Sequence, residues 1–164
     1  MNKKVLFIVH AAVTAALYVV LTLTANALGL ANYAVQVRFS EALTILPVFT
    51  PAAVPGLFIG CLLSNFLTGC LPWDIALGSI ATLIGAFGTY MVRNSRFKFL
   101  AALPPIAANT LIVPFVLAYV YRFDGSILYF MLTVGAGEII SCGILGLLLR
   151  SVLQRYRKYI FPLP

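Results

Sequence analysis

Apolar residues run through this chain in long blocks separated by short polar or basic connections, without the alternation of half-buried strands or the narrow stripes of soluble helices. The blocks fall at residues 5–30, 39–50, 52–69, 74–92, 99–121 and 127–153. Most approach or exceed the roughly 20 residues a helix needs to cross a hydrocarbon core. The block at 39–50 is the exception. At α-helical rise its eleven residues from Ser40 to Thr50 cover only about 16 Å, half a bilayer, so it is either a short tilted span or a re-entrant loop.

The distribution of charge chooses between these. If the short block crosses, Lys3, Lys4, Arg93, Arg96, Lys98, Arg150, Arg155, Arg157 and Lys158 all fall on one side, leaving Arg38 and Arg122 on the other. If it dips and returns, the assignment inverts and most of the basic residues lie outside. The positive-inside bias therefore predicts an all-α membrane protein, a six-transmembrane-helix bundle with N- and C-termini cytoplasmic. Glu41, Asp74 and Asp124 then lie toward the outer side, and Glu138 lies deep within a span. No linker-like stretch divides the chain, which reads as a single domain over residues 1–164.

Composition sharpens this picture. Hydrophobic residues make up 62% of the chain and mean hydropathy is +1.05, against about 45–50% apolar residues in soluble domains. The net charge of +7 raises the question of nucleic acid. The cations are confined to termini and connections, which fits topology signals rather than a nucleic-acid partner. Lys3-Lys4 followed by apolar sequence and Ala25-Asn26-Ala27 resembles a cleavable signal, but the apolar run exceeds the about 7–15 residues of a signal core, so it reads as a retained span. Cys61, Cys70 and Cys142 show no CxxC spacing and read as small packing residues, with no metal site.

Candidate binding chemistry lies in a few polar residues. A mid-span carboxylate such as Glu138 costs about 2.5–3.5 kcal/mol on insertion scales and needs a partner or a water-filled cavity. It follows Gly135-Ala136-Gly137, which leave room for a ligand or a neighbouring backbone. Arg38 and Glu41, three residues apart, share one helical face and form either a surface salt bridge or the rim of an outer pocket. Trp73 and Asp74 are an interfacial anchor and a helix cap, or pocket residues. Asn65 and Asn109 are amides within spans, either interhelical ties or ligand donors. His10 reads as structural, and Pro114 is expected to kink its helix near Asn109. Ala11, Ala12, Ala15 and Ala16 form two small-xxx-small pairs, and Gly56 and Gly60 a third; such pairs admit close helix approach. The chain has no Gly-rich loop ending in Gly-Lys-Ser/Thr, no Ser-His-Asp set and no HExxH. It is expected to catalyse nothing and to bind no cofactor.

The segment Val37-Arg38-Phe39-Ser40-Glu41-Ala42-Leu43-Thr44, followed by Pro47, Phe49-Thr50-Pro51, Pro55-Gly56-Leu57-Phe58-Ile59-Gly60-Cys61 and then Asp74-Ile75-Ala76-Leu77-Gly78-Ser79-Ile80-Ala81-Thr82-Leu83, resembles the QueT family. The resemblance implies a substrate-binding S component of an energy-coupling factor (ECF) transporter, assigned to queuosine precursors. It implies a 7-deazaguanine cargo such as preQ0, preQ1 or queuine, and partners comprising the transmembrane coupling protein EcfT and two cytoplasmic ATPases that hydrolyse ATP. It also implies docking through the alanines of the first helix. A deazaguanine presents N1–H and an exocyclic amine, two donors that a carboxylate accepts together. Glu138 or Glu41 is the expected acceptor, with Arg38 donating to O6, Asn109 as a second donor, and Phe39, Tyr33 or Trp73 stacking on the ring. The competing classes are an ion-coupled secondary transporter with Glu138 as its ion site, and a purely structural membrane subunit.

Overall fold

The computed structural model describes residues 2–30 and 37–161, and every regular element among them is helical. Helix α1 is Lys3–Ala27, followed by a 3₁₀ segment at Phe39–Val48, α2 at Ala53–Leu67 and α3 at Pro72–Met91. A short turn at Lys98–Ala101 leads into α4 at Leu103–Phe115, which widens into a π-helical stretch at Val116–Val120. Helix α5 at Ile127–Glu138 continues through a second π stretch, Ile139–Leu145, into α6 at Gly146–Ile160. Four of the resulting rods, Lys3–Ala27, Pro72–Met91, Lys98–Val120 and Ile127–Ile160, are long and apolar enough to cross a membrane. The last has 34 residues and outruns any bilayer core, so its charged final turns project beyond it.

Local sequence explains the breaks. Helices α1 and α2 both end on a left-handed glycine, Gly29 (φ 73°) and Gly69 (φ 75°). In each case the following amide bonds back into the last turn, Leu30 to the Ala25 carbonyl and Cys70 to the Asn65 carbonyl. Pro104 and Pro105 lie in the first turn of α4, where a missing N–H is harmless. Pro114 lies in its last turn, and the expected distortion falls after it, at the π stretch, rather than at Asn109.

The short block at 39–50 is not an α-helix. Over Phe39–Val48 it is a 3₁₀ helix with Ser40 through Pro47 all buried. At about 2 Å per residue its ten residues rise about 20 Å, a third more than an α-helix would allow. It packs against α1, α2, α3 and the Ile139–Ile160 half of the last rod, forming the centre of the bundle. Leu43 and Leu46 join Tyr18, Leu57 and Cys61 in the main apolar core.

Pairwise contacts fix the directions. At one end of the 3₁₀ segment Ser40 meets Thr22 of α1, and at the other Phe49 stacks on Phe161, which in turn meets His10 edge-on. The segment therefore runs antiparallel to α1, and the start of α1 and the end of α6 share one end of the bundle. Helix α2 runs back alongside α1, with Gly56 against Ala11 and Gly60 against Ala15. Arg150 reaches the Lys98 carbonyl at 2.6 Å, which brings the 93–98 connection to the same end as the termini.

Candidate binding site

A cavity of about 270 Å³ opens at the end of the bundle away from the termini. Its wall is built from the last turns of α1 (Thr22, Asn26), the cap of the 3₁₀ segment (Arg38), the end of α2 (Asn65, Thr68), the start of α3 (Asp74) and the cap of the π stretch after α4 (Tyr121). Of the expected residues, Arg38, Asn65 and Asp74 thus converge. Asp74 is buried and accepts a 2.8 Å hydrogen bond from the Tyr121 hydroxyl, which also receives the Leu71 amide at 3.4 Å. Arg38 is held by its backbone N–H, which donates to Ser141 Oγ at 3.2 Å.

One turn further in lies a second polar layer. Tyr18 stands one α-turn below Thr22, Glu41 one 3₁₀ turn below Arg38, Cys61 one turn below Asn65, and Asn109 one turn below Val113 of the cavity wall. Glu41 is 1% exposed. Its carboxylate accepts from the Tyr18 hydroxyl and, at 3.4 Å, from Asn109 Nδ2, and takes no hydrogen bond from Arg38. Arg38 and Glu41 thus form neither a surface salt bridge nor a shared rim: Arg38 faces the cavity, whereas Glu41 lies beneath it. Arg38 is the extended cap that precedes the 3₁₀ segment, whereas Glu41 lies within it, where the surrounding elements bury it.

Glu138, expected as the pocket floor, does not line the cavity. It is buried beside Glu41, and oxygens of both carboxylates and the Cys142 sulfur lie within 4.8 Å of one another. The π stretch after Glu138 turns Ser141 and Cys142 toward the 3₁₀ segment. The Cys142 thiol approaches Glu138 Oε2 at 3.1 Å, the Glu41 carbonyl at 3.4 Å and Thr44 Oγ1 at 3.4 Å. Two carboxylates and a thiol have the chemistry to hold a divalent cation. Here the donors of Tyr18, Asn109 and Cys142 occupy them instead, as buried polar groups require.

Trp73 is 68% exposed on the outside of α3 and does not line this cavity, the placement of an interfacial anchor. Phe39 is half-buried beside Arg38 but is not in the cavity wall, and Tyr33 lies outside the described residues. The alanine stripe divides. Ala11 and Ala15 carry the backbone against which Gly56 and Gly60 pack, while Ala12 and Ala16 face outward. Sequence reading passed over Tyr18, Tyr121 and Ser141 and took Cys142 for a packing residue. A phenol in an apolar helix, which must find a hydrogen-bond partner, was the available signal for Tyr18.

Fold and site together define a multi-pass α-helical membrane protein with a polar cavity sized for a small molecule and a tied layer of buried acids beneath it. Residues 8–155 match the family profile described as QueT transporter, and the chain belongs to that family. It is similar to the protein named queuosine precursor transporter QueT of Lactococcus lactis subsp. cremoris (strain MG1363), at 37% identity over 84 residues. That match spans 51% of this chain and 48% of the relative, about half of each. The family is one of transporters, not enzymes. No solved structure matches the chain.

Proposed function

We propose that this chain is the substrate-binding subunit of an ECF-type importer and takes up a queuosine precursor, a 7-deazaguanine. The observation that carries the reading is the cavity in which Arg38, Asn65 and Asp74 converge at the end opposite the termini. At about 270 Å³ it sits just below the about 300–1,000 Å³ of pockets for drug-sized ligands, which suits a single modified base. In it Asp74 is the carboxylate that accepts N1–H and the exocyclic amine, and Arg38 donates to O6. Carbon at position 7 leaves the guanidinium one acceptor instead of the two that guanine offers. Asn65 supplies a further hydrogen bond, and Glu41 and Asn109 support the floor.

The six helical segments cross the membrane in alternation, with both termini cytoplasmic and the cavity outside. Support comes from the reversal of direction at each segment and from the basic residues gathered at the terminal end, as the positive-inside bias requires. Ala12 and Ala16 form the docking strip for the coupling protein EcfT, beside the exposed Val13 and Val20. Two ATPases bound to that partner hydrolyse ATP.

Calorimetric titration of the purified chain with preQ0, preQ1, queuine and guanine tests this reading. A deazaguanine is expected to bind without an ion gradient, with guanine weaker. Asp74→Asn is expected to lower affinity at least tenfold, since loss of a charged, paired acceptor costs about 1.5–3 kcal/mol. Uptake by this chain alone, driven by a gradient, overturns the proposal. The buried Glu41–Glu138 pair favours that second reading, an ion-coupled secondary transporter. Glu138→Gln separates the two: because Glu138 does not line the cavity, binding with an unchanged pH dependence supports the first reading, and intact binding with lost proton dependence supports coupling.

A further inference from the structure

At the end shared by the termini, a groove of about 730 Å³ runs between the 93–99 connection and α6. Arg93, Arg96, Lys98, Arg150 and Arg157 line it. The chain has only four acids, Glu41, Asp74, Asp124 and Glu138, and none of them borders the groove. Its positive charge therefore faces no acidic side chain among the described residues. Two guanidiniums are fixed by the fold: Arg150 Nη1 donates to the Lys98 carbonyl at 2.6 Å, and Arg93 Nη1 donates to the Tyr90 carbonyl at 2.9 Å, with its carbon 3.9 Å from the Tyr90 ring centroid. Arg96 and Arg157 make no side-chain hydrogen bond to another described residue. The wall also carries apolar surface, with Phe97 63% and Phe99 55% exposed beside the cations.

We propose that this groove binds the phosphate headgroup of an anionic phospholipid. Oriented guanidiniums meet the phosphate oxygens, and Ser151 and Gln154 add neutral hydrogen-bonding groups. Phe97 and Phe99 lie along the first carbons of the acyl chains. A soluble anion accounts for the cations but leaves these two rings without a role, which is why a lipid is the occupant. Basic pockets between helices at the cytoplasmic boundary recognise such headgroups by the same combination.

Native mass spectrometry of the full chain in detergent, with phosphatidylglycerol or phosphatidylcholine added, provides the test. Phosphatidylglycerol is expected to be retained preferentially. The double variant Arg96→Gln, Arg157→Gln is expected to weaken that retention roughly 30-fold, about fivefold for each charge removed. Should the double variant fail to fold, Lys98→Gln serves in its place with a roughly fivefold loss, because the backbone carbonyl of Lys98, not its side chain, holds Arg150. Equal retention of the two lipids, or unchanged retention by a folded variant, overturns the proposal. So does displacement of phosphatidylglycerol by millimolar inorganic phosphate, which would make the groove a simple anion site. A variant that keeps its lipid but no longer holds the energising partner would mark a protein contact, and the proposal would fail.

Discussion

Tyr18 ties the first helix to the centre of the bundle through its hydroxyl on Glu41. Both side chains are 1% exposed, so no water replaces the bond if the hydroxyl is removed. Tyr18→Phe is therefore expected to lower stability by about 1–3 kcal/mol, the cost of a buried polar group left short of a donor, measured as a fall in the unfolding midpoint in detergent. Glu41→Gln is expected to cost less, because its amide oxygen still accepts from Tyr18. Sequence reading found the acids and Asn109, but not the tyrosine and cysteine that also tie them. Glu41 and Glu138 stand out as charges in apolar blocks, whereas a tyrosine or a cysteine in such a block carries no mark of whether it is tied to one.

At the scale of elements, the 3₁₀ segment decides the arrangement. Runs of this helix beyond three or four residues are uncommon, and this one spans ten. It persists because neighbours hold it on every side: α1 through Thr22 and Tyr18, α4 through Asn109, and the π stretch through Ser141 and Cys142. The apolar block at 39–50 was visible in the sequence, but its pitch was not, because no local signal distinguishes a 3₁₀ run of this length from a short α-helix. Helix α2 depends on close approach to α1. A Cβ at Gly60 would come within 2.7 Å of the Tyr18 Cβ and 3.0 Å of the Ala15 carbonyl, and neither can move freely. Gly60→Ala is expected to destabilise the protein by about 1–3 kcal/mol, read from thermal unfolding, with a larger loss for Gly60→Val. The glycine pair itself was plain in the sequence as a small-xxx-small motif.

For the whole molecule the expectations concern sidedness and assembly. In a Cys70→Ser background a cysteine at Asp124 is expected to react with a membrane-impermeant maleimide in intact cells, and one at Arg96 only after lysis. The reverse pattern would invert the topology. If the proposed coupling protein docks on this strip, Ala12→Trp with Ala16→Trp is expected to abolish that assembly while leaving ligand binding unchanged, since both alanines face outward and neither approaches the cavity. Co-purification and calorimetry on the same preparation check both halves. The sequence by itself determined that the chain is an all-helical membrane protein, because apolar block length and the confinement of charge to the connections are properties of the linear chain. It also determined the family, because the motifs from Val37 to Leu83 are contiguous. Only the tertiary structure decided which polar residues share a cavity. Arg38, Asn65, Asp74 and Tyr121 come from four different segments, and whether such residues meet depends on helix pitch, rotation and crossing. By the same geometry Glu41 was drawn beneath the cavity to Glu138, and Trp73 was turned outward.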